Sequence, residues 1–181
     1  MRRMLLPALA LLALTTPGIS KAQAPPDGSA HRSAIDSLDF MVGRWVGDAW
    51  SMRGPGNKVE TTMTETVELK LGGVVLQVEG GGVVPATDSA PARVVHHALA
   101  VISFDTATGT YGMRSYIATG QYGDFVLNRI AGGVSWTLPV PGGQIRNTAH
   151  IAGDTWHEIG EFSRDGVNWS QTMEMNLRRE R

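Results

Sequence analysis

Two periodicities divide the chain. Between Ala34 and Met41 the apolar residues Ile35, Leu38 and Met41 recur on one helical face, with Asp36 and Asp39 placed early, where a helix dipole favours carboxylates. Ser33 stands where a hydroxyl would cap such a short helix. From Val42 onward the helical period gives way to β-branched and aromatic runs separated by Gly, Pro, Asn and Asp clusters. Ten runs read as strands: Val42 to Arg53, Lys58 to Leu71, Val74 to Gly81, Arg93 to Phe104, Thr110 to Thr119, Gly123 to Ile130, Val134 to Pro139, Gln144 to Ala152, Thr155 to Arg164 and Asn168 to Arg178.

The connections are short and rich in turn residues, and Asp165-Gly166 between Phe162-Ser163-Arg164 and Val167-Asn168-Trp169 is the strongest hairpin signal. Only Val83 to Ala92, with Pro85 and Pro91, is long and irregular, and it is read as a flap over a barrel mouth. Consecutive antiparallel strands must close or expose two long edges. The expected fold is therefore all-β, a closed up-and-down antiparallel barrel of about ten strands with a short N-terminal helix as plug. A β-sandwich is the alternative. Gly43-Arg44-Trp45 at the first strand suits the plugged end, with the Trp45 indole filling the bottom beneath Arg178 or Arg179.

Composition changes the picture at the amino terminus. Arg2 and Arg3, an apolar run from Met4 to Thr16 and Ala22-Gln23-Ala24 read as a signal peptide over residues 1–24. A Pro-, Gly- and Ser-rich tether follows over 25–33, and one domain occupies 34–181. The chain is expected to be exported, periplasmic or secreted, with no membrane span. It holds no cysteine, which excludes thiol nucleophiles and Cys-ligated zinc. Its Lys and Arg are scattered, so no nucleic acid partner is expected.

Gly43-Arg44-Trp45 together with Leu177-Arg178-Arg179 resembles the calycin superfamily of lipocalin-like and fatty-acid-binding-protein-like barrels, in which a late arginine packs over the tryptophan. Leu71-Gly72-Gly73-Val74-Val75-Leu76 with Glu79-Gly80, Ile102-Ser103-Phe104-Asp105 with Tyr111, and Glu158 with Gly160-Glu161 before Asp165-Gly166 resemble a bacterial calycin-like family, the DUF1579 type. The likeness runs from about Ala34 to Arg179 and implies a barrel without an assigned activity. Haem-binding barrels of the nitrobindin type carry a glycine-rich first strand and a distal histidine near the carboxyl end. Here Gly47-Asp48-Ala49-Trp50 lacks the glycines and no histidine follows His157, so no haem or other cofactor is expected.

The remaining residues offer several chemistries. His96 and His97 point to opposite faces of a strand and cannot share a metal. His150 and His157 meet across a hairpin with Glu161 as third ligand only in a metal reading that ordinary surface histidines outweigh. Glu158 and Glu161 fall on opposite faces, so the two do not form an acid–base pair, and outer-face carboxylates are the default; Glu158 with another inward group stays open. Trp45, Arg114, Tyr116, Trp136, Arg146 and Trp156 are the candidate ligand-binding set, with the arginines holding an anionic head inside aromatic walls.

The leading expectation is a barrel that binds a small apolar or amphipathic molecule. The alternative is a filled barrel that forms a homodimer through the strand from Arg93 to Phe104, which is apolar on both faces. An isomerase or cyclase would need polar groups converging in the cavity, and no motif for one is present.

Overall fold

The computed structural model describes residues 27–181. The leader expected over 1–24 lies outside the described residues. Ten antiparallel strands, β1 (Gly43–Met52), β2 (Lys58–Lys70), β3 (Val75–Val84), β4 (Arg93–Asp105), β5 (Thr110–Ile117), β6 (Tyr122–Ile130), β7 (Gly133–Val140), β8 (Gly143–Ala152), β9 (Thr155–Ser163) and β10 (Ser170–Arg179), follow one another around the sheet, and β1 pairs with β10. The result is the closed up-and-down barrel expected from the turn spacing, and it leaves no sheet edge.

The closing seam runs from Trp45 opposite Arg179 to Ser51 opposite Met173. Gly47 sits in this seam opposite Leu177, and a Cβ there would overlap the Asn176 carbonyl oxygen. Only glycine lets the two end strands approach so closely. Gly47→Ala is expected to lower stability by about 1–3 kcal/mol, read as a fall in the urea midpoint. An unchanged midpoint would show that the seam tolerates a side chain.

The plug is built as the helical face predicts, with one shift of boundary. Helix α1 (Ser29–Asp36) starts directly after Gly28, so the tether read over 25–33 is helical from Ser29 and Ser33 lies inside the helix. The start signal is Asp27, whose carboxylate accepts from the Ser29 N–H at 3.0 Å and from the Ser29 hydroxyl at 2.9 Å. Ile35, Leu38 and Met41 are all buried. A single 3₁₀ turn (Asp39–Met41) then leads into β1.

Trp45, fully buried, closes this end. Its indole N–H donates to the Met41 carbonyl at 2.8 Å and its ring meets Trp156 edge to face at 5.5 Å. The Arg179 guanidinium lies 4.0 Å from the Trp45 ring centroid and donates to the carbonyls of Phe40, Val42 and Gly153, tying the last strand to the plug. Tyr111 adds a clasp, donating from its hydroxyl to the Ala34 carbonyl at 2.9 Å and sharing a hydrogen bond with Ser37.

Two local readings are corrected. Asp165-Gly166 does not make a two-residue hairpin: β9 ends at Ser163 and β10 begins at Ser170. The Asp165 carboxylate draws the chain into a wider loop by accepting from the N–H groups of Val167 and Asn168 and from the Ser163 hydroxyl, which holds its pKa well below the usual carboxylate range. Residues 85–92 are exposed and form no part of the cavity wall. The doubly apolar strand β4 puts Ala100 and Ile102 inside, while Val94 and Leu99 stay exposed; α1 packs against β4 and β3 beside the Gly72-Gly73 turn and leaves these two residues uncovered.

Candidate ligand cavity

Above the Trp45 plug the interior is open. A cavity of about 1000 Å³ extends from Met41 and Trp156 at the closed end to Arg53, His96, Gln121 and Pro141 at the mouth. It stays open because small side chains face inward at Ala49, Gly80, Ala98, Ala100, Ser115 and Gly123, on five different strands. Met63, Met113, Phe125, Trp136 and Met173 make the rest of the wall largely apolar.

Four of the six residues of the expected ligand set do not reach this space. On β5 the alternation turns Met113, Ser115 and Ile117 inward, so Arg114 and Tyr116 are outside. Arg114 faces Asp124 directly across β5 and β6 and donates to both carboxylate oxygens, at 2.6 and 2.8 Å. Tyr116 stacks on Tyr122 in the same outer patch. Arg146 is likewise outside, opposite Glu161 with a 2.8 Å hydrogen bond, and stacked 4.1 Å from the Trp169 ring centroid. Each arginine has a cross-strand carboxylate and remains open to solvent on the outer face, so neither guanidinium bears the cost of burial. Trp136 and Trp156 do line the cavity, and Trp45 lies one layer below, under Trp156.

The polar groups inside are ones the alternation concealed. Glu65 on β2 and Glu158 on β9 are only 8% and 5% exposed, and both border the cavity. Glu65 sits opposite Gly80, and a Cβ at Gly80 would come within 2.7 Å of its carboxylate, so the glycine provides the room. Among the described residues no group donates a hydrogen bond to Glu65. Burial, reinforced by the charge of Glu158, pushes its pKa up to about 8. Glu158 accepts from the Trp156 indole N–H at 3.2 Å; burial outweighs this bond and pushes its pKa up to about 7. Asn147, on β8 opposite Gly160, is the neutral polar neighbour in the wall.

The expected outer-face position of Glu158 is thus corrected, and Glu161 alone is outside. The Gly80-Gly81-Gly82 run, read as a bulge or close approach, serves as both: the register shifts between Gly82 and Val83, and Gly82 leaves space for Met63 and His96. His96 faces inward one row nearer the mouth, and burial together with Arg53 and His97 lowers its pKa. Two buried carboxyls in a largely apolar cavity can donate and accept hydrogen bonds, hold a cation, or pass a proton. His150 and His157 do face each other, but His157 bonds Glu174 at 3.1 Å and Glu161 bonds Arg146. Among the described residues no group of three His, Asp or Glu is placed to hold a metal, and no helix is long and apolar enough to cross a membrane.

Comparison with known proteins gives the architecture alone. No family model matches the chain, and no curated protein does. Among solved structures, the crystal structure of Rv2717c from M. tuberculosis is similar, with a TM-score of 0.59 at 12% sequence identity, covering 82% of this chain and 98% of that one. At that identity the likeness is one of fold: this chain is a small antiparallel β-barrel built like Rv2717c.

Proposed function

We propose that this chain is an exported, calycin-like binding module that holds one small apolar or amphipathic molecule inside its barrel. The observation that carries the reading is the open cavity of about 1000 Å³, whose wall is apolar except for a few convergent polar groups. That is the usual plan of a small-molecule site. The basic start at Arg2 and Arg3, the apolar run from Met4 to Thr16 and Ala22-Gln23-Ala24 support export. The outward position of Arg114 and Arg146 removes the argument for a carboxylate head group at those residues, and the polar end of the site is assigned to the interior instead.

The test is titration with Nile red, a neutral dye whose emission reports an apolar surrounding. Saturable one-to-one binding is expected, with quenching of tryptophan emission through Trp136 and Trp156. Ala98→Trp, which places an indole in the cavity, should weaken binding about tenfold or more while the circular dichroism spectrum is retained. Equal binding by the variant, or no saturable binding by the wild type, would sink the reading.

A further inference from the structure

We propose that the cavity selects an apolar molecule carrying a cationic nitrogen, an alkylammonium or quaternary ammonium group, seated between Glu65, Glu158 and the aromatic wall. This rests on the reading of the cavity as a ligand site and names the chemistry of its occupant. Three observations carry it. Two carboxyls, each more than nine-tenths buried, border one apolar space, and Glu65 has no hydrogen-bond donor of its own among the described residues. Gly80 holds open the volume into which the Glu65 carboxyl projects. Trp156, whose indole N–H is bonded to Glu158, and Trp136 present aromatic surface to the same space. Ring faces beside carboxylates form the usual cradle for a quaternary ammonium, attracting it through the ring quadrupole as well as by charge.

The other titratable groups of the wall do not supply that cation. His96 on β4 lies one row nearer the mouth, and burial favours its neutral form. Arg53, after β1, is exposed at the mouth, and Tyr122 on β6 is exposed there as well. Strands β3, β5, β7, β8 and β10 contribute no titratable side chain to the wall. Arg179 at the closed end is engaged with Trp45 and the carbonyls of the plug. An anionic ligand would add a negative charge beside two carboxyls, whereas a cation lets both ionise. Binding of a fixed cation therefore releases protons.

The experiment compares three ligands of equal chain length, decyltrimethylammonium, decanol and decanoate, by titration calorimetry at pH 7.5 and pH 5. At pH 7.5 decyltrimethylammonium should bind about tenfold or more tightly than decanoate and more tightly than decanol. Its heat should differ between buffers of unlike ionisation enthalpy, which reports the released protons. Its advantage over decanol should shrink at pH 5, where both carboxyls stay protonated. Glu65→Gln and Glu158→Gln should each reduce the proton release and bring decyltrimethylammonium down toward decanol, with decanol binding still measurable as evidence that the cavity is formed. Decanol binding without a preference for the cation, or a preference that survives both substitutions, overturns this inference and leaves the cavity reading standing. No binding of any of the three overturns both.

Discussion

Trp45→Ala is expected to cost about 3–5 kcal/mol, the largest loss from any single truncation at the closed end of the barrel. The indole is fully buried, and its removal takes away more than apolar area. The Met41 carbonyl loses its donor, Trp156 loses the ring it meets edge to face, and the Arg179 guanidinium loses the surface on which it lies. Arg179→Ala removes the stacking, worth about 0.5–2 kcal/mol, together with hydrogen bonds to Phe40, Val42 and Gly153 carbonyls that water can partly replace, so its loss should be the smaller. Chemical denaturation of both variants checks the order. Equal losses, or a loss below about 1 kcal/mol for Trp45→Ala, would show that the plug does not hold the barrel end.

How legible these features were depended on the physics of each position. The helical face of Ile35, Leu38 and Met41, the strand runs and the Trp45 plug were readable because burial imposes a period and each is apolar on one side only. The inside of the barrel was harder, since a face assignment needs one residue of certain orientation per strand. On β5, Arg114 and Tyr116 share a parity, and so do Met113, Ser115 and Ile117; an aromatic on the first set pulled the reading the wrong way. The decisive partners, Asp124 for Arg114 and Glu161 for Arg146, lie on neighbouring strands and become visible only once the register is known.

Glu65 carried a signal that composition obscured. Met63, Val67 and Leu69 share its parity, while Thr62, Thr64, Thr66 and Glu68 occupy the other, so it stands on the more apolar face of an otherwise polar strand. Glu158 shares its parity with Trp156 and Gly160, which points inward, while the usual solvation of a charge favours the outer face, so the pattern alone leaves both open. The cavity itself was not legible. It arises from small residues on five strands whose coincidence at one depth depends on the stagger of the whole barrel.

The same two carboxyls should make the free protein less stable as the solution becomes alkaline. Glu65 and Glu158 have folded-state pKa values of about 8 and about 7, both raised by burial, against an ordinary carboxyl near 4.5. In the unfolded chain both ionise above pH 4.5, whereas in the folded chain they hold their protons until pH 7 to 8. Folding therefore takes up protons in that interval, and stability falls as pH rises through it, then levels off once both are ionised in either state. His96 works in the opposite direction, since its lowered folded pKa makes folding release a proton, but this ends near its ordinary value of 6.5. The depressed carboxylates Asp27, Asp105, Asp124, Asp165 and Glu174 likewise act only in acid. Between pH 6.5 and 8.5 the carboxyl pair dominates among the described residues, and the free energy of unfolding should drop by about 2–3 kcal/mol. Glu65→Gln keeps the shape of the side chain and cannot ionise, so it should remove much of the drop and exceed the wild type in stability at pH 8.5. Urea midpoints at the two pH values, for wild type and variant, decide the matter: a wild type whose midpoint is the same at both, or a variant that falls as steeply, would mean that these carboxyls titrate as ordinary solvated groups.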